Sequence, residues 1–353
     1  MGGHALRKVK VQRIPKALYQ QIIQEITQRL NSIGQVRFNF PYETPGKEDF
    51  GDIDVLIDAN YGIIPQKKIY NFIQELYSPV EISPSGPVTS FAYEINGEYY
   101  QVDFILVNSL EMAQLYFSYG DCGAIIGRFM SFYGLTYSES GLLAKVKGSY
   151  LFDQKYPEND QVLESIILSP RPQEVCDYLH LDYSRWKEGF HSIDEIYQWI
   201  ITSRFYKPDF FLFMKMDHRK RLKLRPFYQK FLDLIDVNIE TIDNIELKYE
   251  LSPEEIYRYV MTAIHDFKKE EEFHQIEINF SLQQSRKSKF HSSIFLENGI
   301  AQTQLNEAMK SFKKEAFATE EAFWEWIDSH DNEEVRVFII QWLQSWKTTI
   351  ESK

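Results

Sequence analysis

The stretch GKEDFGDIDVLID, residues 46–58, opens on polar residues and a glycine and then sets two aspartates into an apolar run. Side chains alternate across a strand, so Asp52 and Asp54 share one face while Ile53, Val55 and Ile57 share the other. Two carboxylates held side by side repel one another unless a cation or a proton lies between them. The pair is therefore either an exposed strand edge or a site that recruits positive charge. Asp58 has the same parity but begins DANYG, a turn, and reads as structural. Asp49 lies in the preceding loop and is the weaker candidate.

Working outward, residues 15–31 (PKALYQQIIQEITQRLN) read as a helix, with Pro15 at its first turn and an apolar stripe of Leu18, Ile22, Ile23, Ile26 and Leu30. QVRFNF reads as a short strand, IPQKKIYNFIQELY as an amphipathic helix, and SFAYEINGEYYQVDFILV as a hairpin turning at Asn96-Gly97. Asp103 falls in the second arm of that hairpin. The order predicts a small mixed sheet with helices on one face. From about residue 111 the pattern turns largely helical, broken by a small hairpin within GLTYSESGLLAKVKGSYLF. Helices are expected at RPQEVCDYLHLD, SIDEIYQWIITSRF, SPEEIYRYVMTAIHDFKKEEEFH, TEEAFWEWIDS and NEEVRVFIIQWLQSWKT, the third opened by a capping box of Ser252 and Glu255.

The 353 residues suit two or three domains. No apolar run is long enough to span a membrane. MGGHALRKVK lacks a signal-peptide core, and Leu6 stands where a myristoylation signal requires Ser or Thr, so a cytoplasmic protein is expected. Cys122 and Cys176 form neither a disulfide framework nor a zinc motif. A net charge of −12 argues against a surface that grips nucleic acid everywhere. One dense basic run, KMDHRKRLKLRPFYQK (215–230), is either a solvated segment or a local track for a strand or a triphosphate.

FGDIDVLI followed by QVDFILV resembles the palm of the DNA polymerase β-like nucleotidyltransferase superfamily: a glycine loop, Asp-apolar-Asp-apolar on one strand, then an apolar-Asp-apolar strand. The resemblance covers roughly the first 110 residues. It implies that Asp52 and Asp54 hold two Mg²⁺ ions, with Mn²⁺ as an alternative, and that Asp103 helps to activate an acceptor hydroxyl. It also implies an α+β fold with a nucleotidyltransferase palm over 1–110, a helical nucleotide-contacting domain over 111–235 and a C-terminal helical domain over 236–353. The family's Gly-Gly or Gly-Ser before the acidic pair is missing, since FPYETPG stands there. Gly2 and Gly3, with His4 or Lys8, are expected to take over the phosphate role; the other reading is a frayed terminus. Gly51, Arg128, Tyr137 and Lys145 are expected to contact nucleotide, although the aromatics of that segment serve equally as core. Arg219, Arg221, Lys223 and Arg225 are expected to contact nucleic acid. FLENGIAQTQLNEAMKSFKK (295–314) looks like the tail segment of CCA-adding and bacterial poly(A)-type enzymes, without their second and third glycines.

The resemblance thus implies a magnesium-dependent, template-independent nucleotidyltransferase. It would join the NMP or dNMP of an NTP or dNTP to an acceptor hydroxyl, such as an RNA or DNA oligonucleotide end, and release pyrophosphate. Alternatives are an antiphage-defence or toxin-type enzyme that makes a nucleotide signal or DNA oligomer or modifies a protein or tRNA, and an inactive palm that acts as a binding module. Oligomeric state is not legible in the sequence.

Overall fold

The computed structural model describes residues 5–61, 68–151, 161–212, 222, 225–237 and 251–351, and among them the fold is α+β. The chain divides into two compact units, Met1–Lys269 and Glu270–Lys353.

The first unit is built on a five-stranded sheet. A short strand β1 (Ile14–Pro15) leads into α1 (Lys16–Ile33), whose Tyr19, Ile22, Ile26 and Leu30 recur at helical spacing and are buried. Gly34, at φ 74°, ends the helix in the left-handed conformation that glycine adopts without strain. There follow β2 (Phe38–Asn39), β3 (Asp49–Phe50), β4 (Ile53–Asp58), α2 (Ile69–Tyr77), β5 (Ile82–Ser85), β6 (Val88–Ile95) and β7 (Glu98–Val107). The sheet order is β2-β4-β7-β6-β5, with β4 and β7 parallel and the remaining pairs antiparallel. Asn96 and Gly97 both have positive φ, the two-residue turn that the twist of the hairpin arms demands.

Helices α1 and α2 cover the face bearing Ile53, Val55, Ile57, Val102 and Phe104. The other face is covered too, at one end: α3 (Leu110–Phe117) packs Ala113 against Leu56, Ile105 and Val107. The expectation of helices on a single face is corrected here. Leu56, Ile105 and Val107 alternate with the residues that meet α1 and α2, so the far ends of β4 and β7 are apolar on both sides. At the near end of β4, Asp54 and the adjoining Asp52 open instead onto a cavity.

Beyond α3 come α4 (Cys122–Phe132) and a three-stranded antiparallel sheet of β8 (Leu135–Ser138), β9 (Gly141–Lys147) and β10 (Val162–Ser169). The hairpin was legible in advance; β10 was not, and its Ile166 and Leu168 alternate inward as a strand requires. Gly123 lets α4 approach α3: a Cβ there would lie 2.2 Å from the Tyr116 carbonyl oxygen. Helices α5 (Pro172–Leu179), α6 (Tyr183–Glu188), α7 (Ile193–Ile201), α8 (Pro226–Leu234) and α9 (Pro253–Asp266) complete this unit. The capping box of α9 is present, Ser252 and Glu255 each accepting the other's backbone N–H. The stretch read as one helix through His274 stops at Asp266; Lys268 takes φ 56° and a new helix begins at Glu270.

The second unit contains α10 (Glu270–Lys289), α11 (Ser292–Glu297), α12 (Leu305–Ala316), α13 (Glu320–Ser329) and α14 (Asn332–Glu351) around Phe295, Phe312, Phe323 and Ile339. Within the 295–314 segment, Gly299 at φ 81° turns the chain and α12 ends on Lys313 and Lys314. Among the described residues no helix is long and apolar enough to cross a membrane.

Candidate metal centre

The side-by-side strands bring the three acids together. Asp52 immediately precedes β4 and Asp54 is its second residue, and the parallel register sets Asp54 opposite Asp103 of β7. One carboxylate oxygen from each lies within 4.8 Å of the other two. Unit charges about 4 Å apart repel by roughly 4 kcal/mol at an effective dielectric constant of 20, so three ionised carboxylates do not sit here unaided. The protons respond accordingly. Burial first, then the charges of Asp52, Asp103 and Glu43, hold the Asp54 carboxyl well above the usual carboxylate range. Burial and Asp52 raise Asp103 to about 6, against the opposing pull of hydrogen bonds from Ser90 and Gln101. Hard carboxylate oxygens converging from two strands are what Mg²⁺ or a similar divalent ion binds, and such an ion would supply the missing charge. A metal ion therefore fits Asp52, Asp54 and Asp103.

Asp103 is held from two sides. Ser90, its partner across the β6–β7 hairpin, donates its hydroxyl, and the Gln101 side-chain amide donates to Oδ1 at 2.9 Å and Oδ2 at 3.1 Å. Neither Ser90 nor Gln101 was singled out from the sequence. A signal existed: counting outward from the Asn96-Gly97 turn pairs Ser90 with Asp103, and strand parity puts Gln101 on the same face.

A cavity of about 680 Å³ opens from Asp52 and Asp54. Its walls include Glu43, Lys47, Tyr116, Arg225, Phe227 and Lys230. Glu43 accepts from the Tyr19 hydroxyl at 2.8 Å and pairs with Lys47 at 2.6 Å, so this fourth acid already has a cation. Lys47 in turn lies 4.5 Å above the Phe50 ring. Arg225, at the start of α8, pairs with Asp121, which also lines the cavity, at 2.8 Å. The Tyr197 hydroxyl donates to the Phe227 carbonyl at 2.6 Å and fixes that wall. The cavity wall thus combines the carboxylates of Asp52 and Asp54 with the cations Arg225 and Lys230 and the rings of Tyr116 and Phe227.

The remaining expected residues are distributed unevenly. Gly51 adjoins the acidic pair between β3 and β4, half-buried. Arg225 is a cavity wall. Arg128 is not; its guanidinium lies 4.7 Å over Phe132, and burial lowers its pKa. Lys145 is half-buried on β9, also away from the cavity wall. Tyr137 is 4% exposed and packs against Tyr116, which leaves its ring without an open face for a base; it belongs to the core. Lys8 lies on an N-terminal segment where its backbone N–H donates to Glu81 at 2.8 Å. Gly2, Gly3, His4, Arg219, Arg221 and Lys223 lie outside the described residues.

No protein-family model and no curated protein matches the chain. Among solved structures it is similar in part to polymerase beta of Leishmania infantum in a ternary P/T complex, with a TM-score of 0.35 and 13% identity over 49% of this chain and 74% of that one. It is likewise similar to the same organism's polymerase beta in a ternary gap complex, with a TM-score of 0.31 and 12% identity over 66% of this chain and 71% of that one.

Proposed function

We propose that the protein is a divalent-metal-dependent, template-independent nucleotidyltransferase that uses Asp52, Asp54 and Asp103. The observation that carries this reading is three carboxylates with one oxygen from each within 4.8 Å of the others, two of them in the wall of a cavity that Arg225 and Lys230 also line. Asp52 and Asp54 would hold two Mg²⁺ ions, with Asp103 reaching one of them. Bound there, the ions would favour the alkoxide form of an acceptor hydroxyl and neutralise the departing pyrophosphate. The acceptor oxygen forms a bond to the α-phosphorus as the bond to the β-phosphate oxygen breaks, and pyrophosphate leaves with that oxygen. Asp103, ionised beside the bound ions, would take the hydroxyl proton.

The rest of the cavity supports an NTP or dNTP as donor. Arg225 and Lys230 face phosphate charge, and Phe227 and Tyr116 offer rings to a base. The overall charge of −12 favours a short contact with any oligonucleotide acceptor, confined to this basic side.

Incubation with labelled NTPs and dNTPs, with and without RNA and DNA oligonucleotides, tests the reading. A ladder indicates strand extension, a single small product a nucleotide signal, and label on protein a modifying enzyme. The absence of every metal-dependent product and of metal-dependent nucleotide binding would refute it.

A further inference from the structure

Gln101 is a buried amide, 2% exposed, with both ends engaged. Its Nε2 donates to both oxygens of Asp103, and its Oε1 accepts the backbone N–H of Ala5 at 3.0 Å. A backbone N–H can only donate and an ionised carboxylate can only accept, so the two partners together dictate which way the amide points. Turned over, it would aim oxygen at carboxylate and nitrogen at N–H. Ala5 is therefore the element that orients the donor facing Asp103.

Ala5 is itself held. The next turns of chain are tied down by Glu81, whose carboxylate accepts the consecutive N–H groups of Arg7, Lys8 and Val9 at 2.9, 2.8 and 3.2 Å. Those bonds hold the Glu81 carboxyl below the usual range, although its burial opposes them. Farther on, Gln12 donates to the Tyr99 carbonyl at 2.8 Å, and Ile14 pairs with Phe50, two residues before Asp52. The segment 5–15 thus runs as a strap from the third acid to the loop that precedes the first two. Of these ties only the pairing of Ile14 with Phe50 also belongs to the sheet core.

We propose that Gln101 is a positioning residue for the metal centre, relaying the strap at Ala5 to the carboxylate of Asp103. The relay rests on the nucleotidyltransferase reading, in that Asp103 must be a metal ligand for its orientation to matter. Partners that orient ligands in this way typically change metal affinity by about 10- to 100-fold when removed.

The test is Mn²⁺ binding, followed by calorimetry and by the paramagnetic resonance of the bound ion, on the full chain with its fold checked by circular dichroism. Gln101→Met keeps the size of the side chain and removes both hydrogen-bonding ends; it should weaken Mn²⁺ binding about tenfold. Ala5→Pro deletes the N–H that orients the amide and fixes φ at an exposed residue, and should weaken binding roughly two- to tenfold. Combined, the two should weaken it no more than Gln101→Met alone. Arg7→Pro removes one of the three donors to Glu81, leaves the other two and the Ala5 N–H in place, and should weaken Mn²⁺ binding less than Ala5→Pro does.

Unchanged affinity in folded Gln101→Met, an additive double variant, or an equal loss in Arg7→Pro overturns the relay. If Gln101→Met does not fold, the contrast between Ala5→Pro and Arg7→Pro decides. Mn²⁺ binding that is lost in Asp54→Asn yet untouched by Gln101→Met refutes the relay alone and leaves the proposed function standing. A wild-type protein that binds no Mn²⁺ refutes both.

Discussion

Asp54 and Asp103 stand directly opposite one another on β4 and β7, the parallel pair at the centre of the five-stranded sheet. A slip of one residue in that pairing would turn one of the two carboxylates into the core beneath α1 and α2. The register is held by what flanks it, Ile53 beside Val102 and Val55 beside Phe104, all fully buried. Hydrophobic packing on one face therefore sets the charge geometry on the other.

Removing acids should have opposite effects on activity and on stability. Asp52→Ala and Asp54→Ala should each abolish labelled product. Asp103→Asn should lower turnover by about 10²- to 10⁴-fold, the usual loss for a proton acceptor. In the presence of EDTA, Asp54→Asn should instead melt higher than the wild type, because a neutral amide relieves the repulsion from Asp52 and Asp103. Near-normal turnover in any of the three, or a lower melting temperature for Asp54→Asn, contradicts the assignment.

Stability without metal should rise as the pH falls. Asp103 titrates at about 6 in the fold against an ordinary 3.8, so the folded state holds its proton more tightly than the unfolded chain does. Ionising it costs the fold about 3 kcal/mol, in full above pH 6 and fading as pH falls towards 4. Asp54, shifted in the same direction, adds to the trend. Mg²⁺ reverses the balance by favouring ionised ligands. Melting curves at pH 5 and 7.5, with EDTA and with Mg²⁺, should show a larger Mg²⁺-induced rise at pH 7.5.

Arg225 in the cavity wall should act on substrate affinity. Arg225→Ala is expected to raise the KM for nucleotide about tenfold and to change kcat much less, the value of a charge-assisted contact that persists from ground state to transition state. Initial-rate kinetics over a range of nucleotide concentrations measure this. Equal losses in kcat would mean that Arg225 meets the reacting phosphate instead.

Gly123 should tolerate no side chain. Gly123→Ala places a methyl group 2.2 Å from the Tyr116 carbonyl oxygen, a backbone atom that cannot swing away. The variant should lose about 1–3 kcal/mol or more of unfolding free energy in a urea titration. Since Tyr116 and Ala124 line the cavity, nucleotide affinity should fall with it. An unchanged urea midpoint would show that α3 and α4 part without cost.

Local chemistry made much of this protein legible in its sequence. Apolar spacing marked α1, the alternation around Asp52 and Asp54 marked β4, Asn96-Gly97 marked the hairpin that carries Asp103, and Ser252 with Glu255 marked the start of α9. Each of these signals acts over a few residues of chain. Others needed distance. Nothing near Val162 announces a third strand beside β9, and nothing near Lys268 in a continuous helical pattern announces a break. Arg128 and Tyr137 had suitable chemistry but lie in the packing around α4, where burial decides their use.

The sequence by itself determined that Asp54 and Asp103 sit on strands, with Asp52 at the entry to the first, and that their apolar neighbours face the other way, because side-chain alternation is a property of the local backbone. Tertiary structure alone decided that the strands lie in parallel register, that Gln101 joins Asp103 to Ala5, and that Arg225 and Phe227 share a cavity wall with Asp52 and Asp54. Those relationships join residues as many as 173 positions apart, from Asp52 to Arg225. Over such separations only the closing of the fold, with the burial and hydrogen bonding it permits, can choose one partner from many.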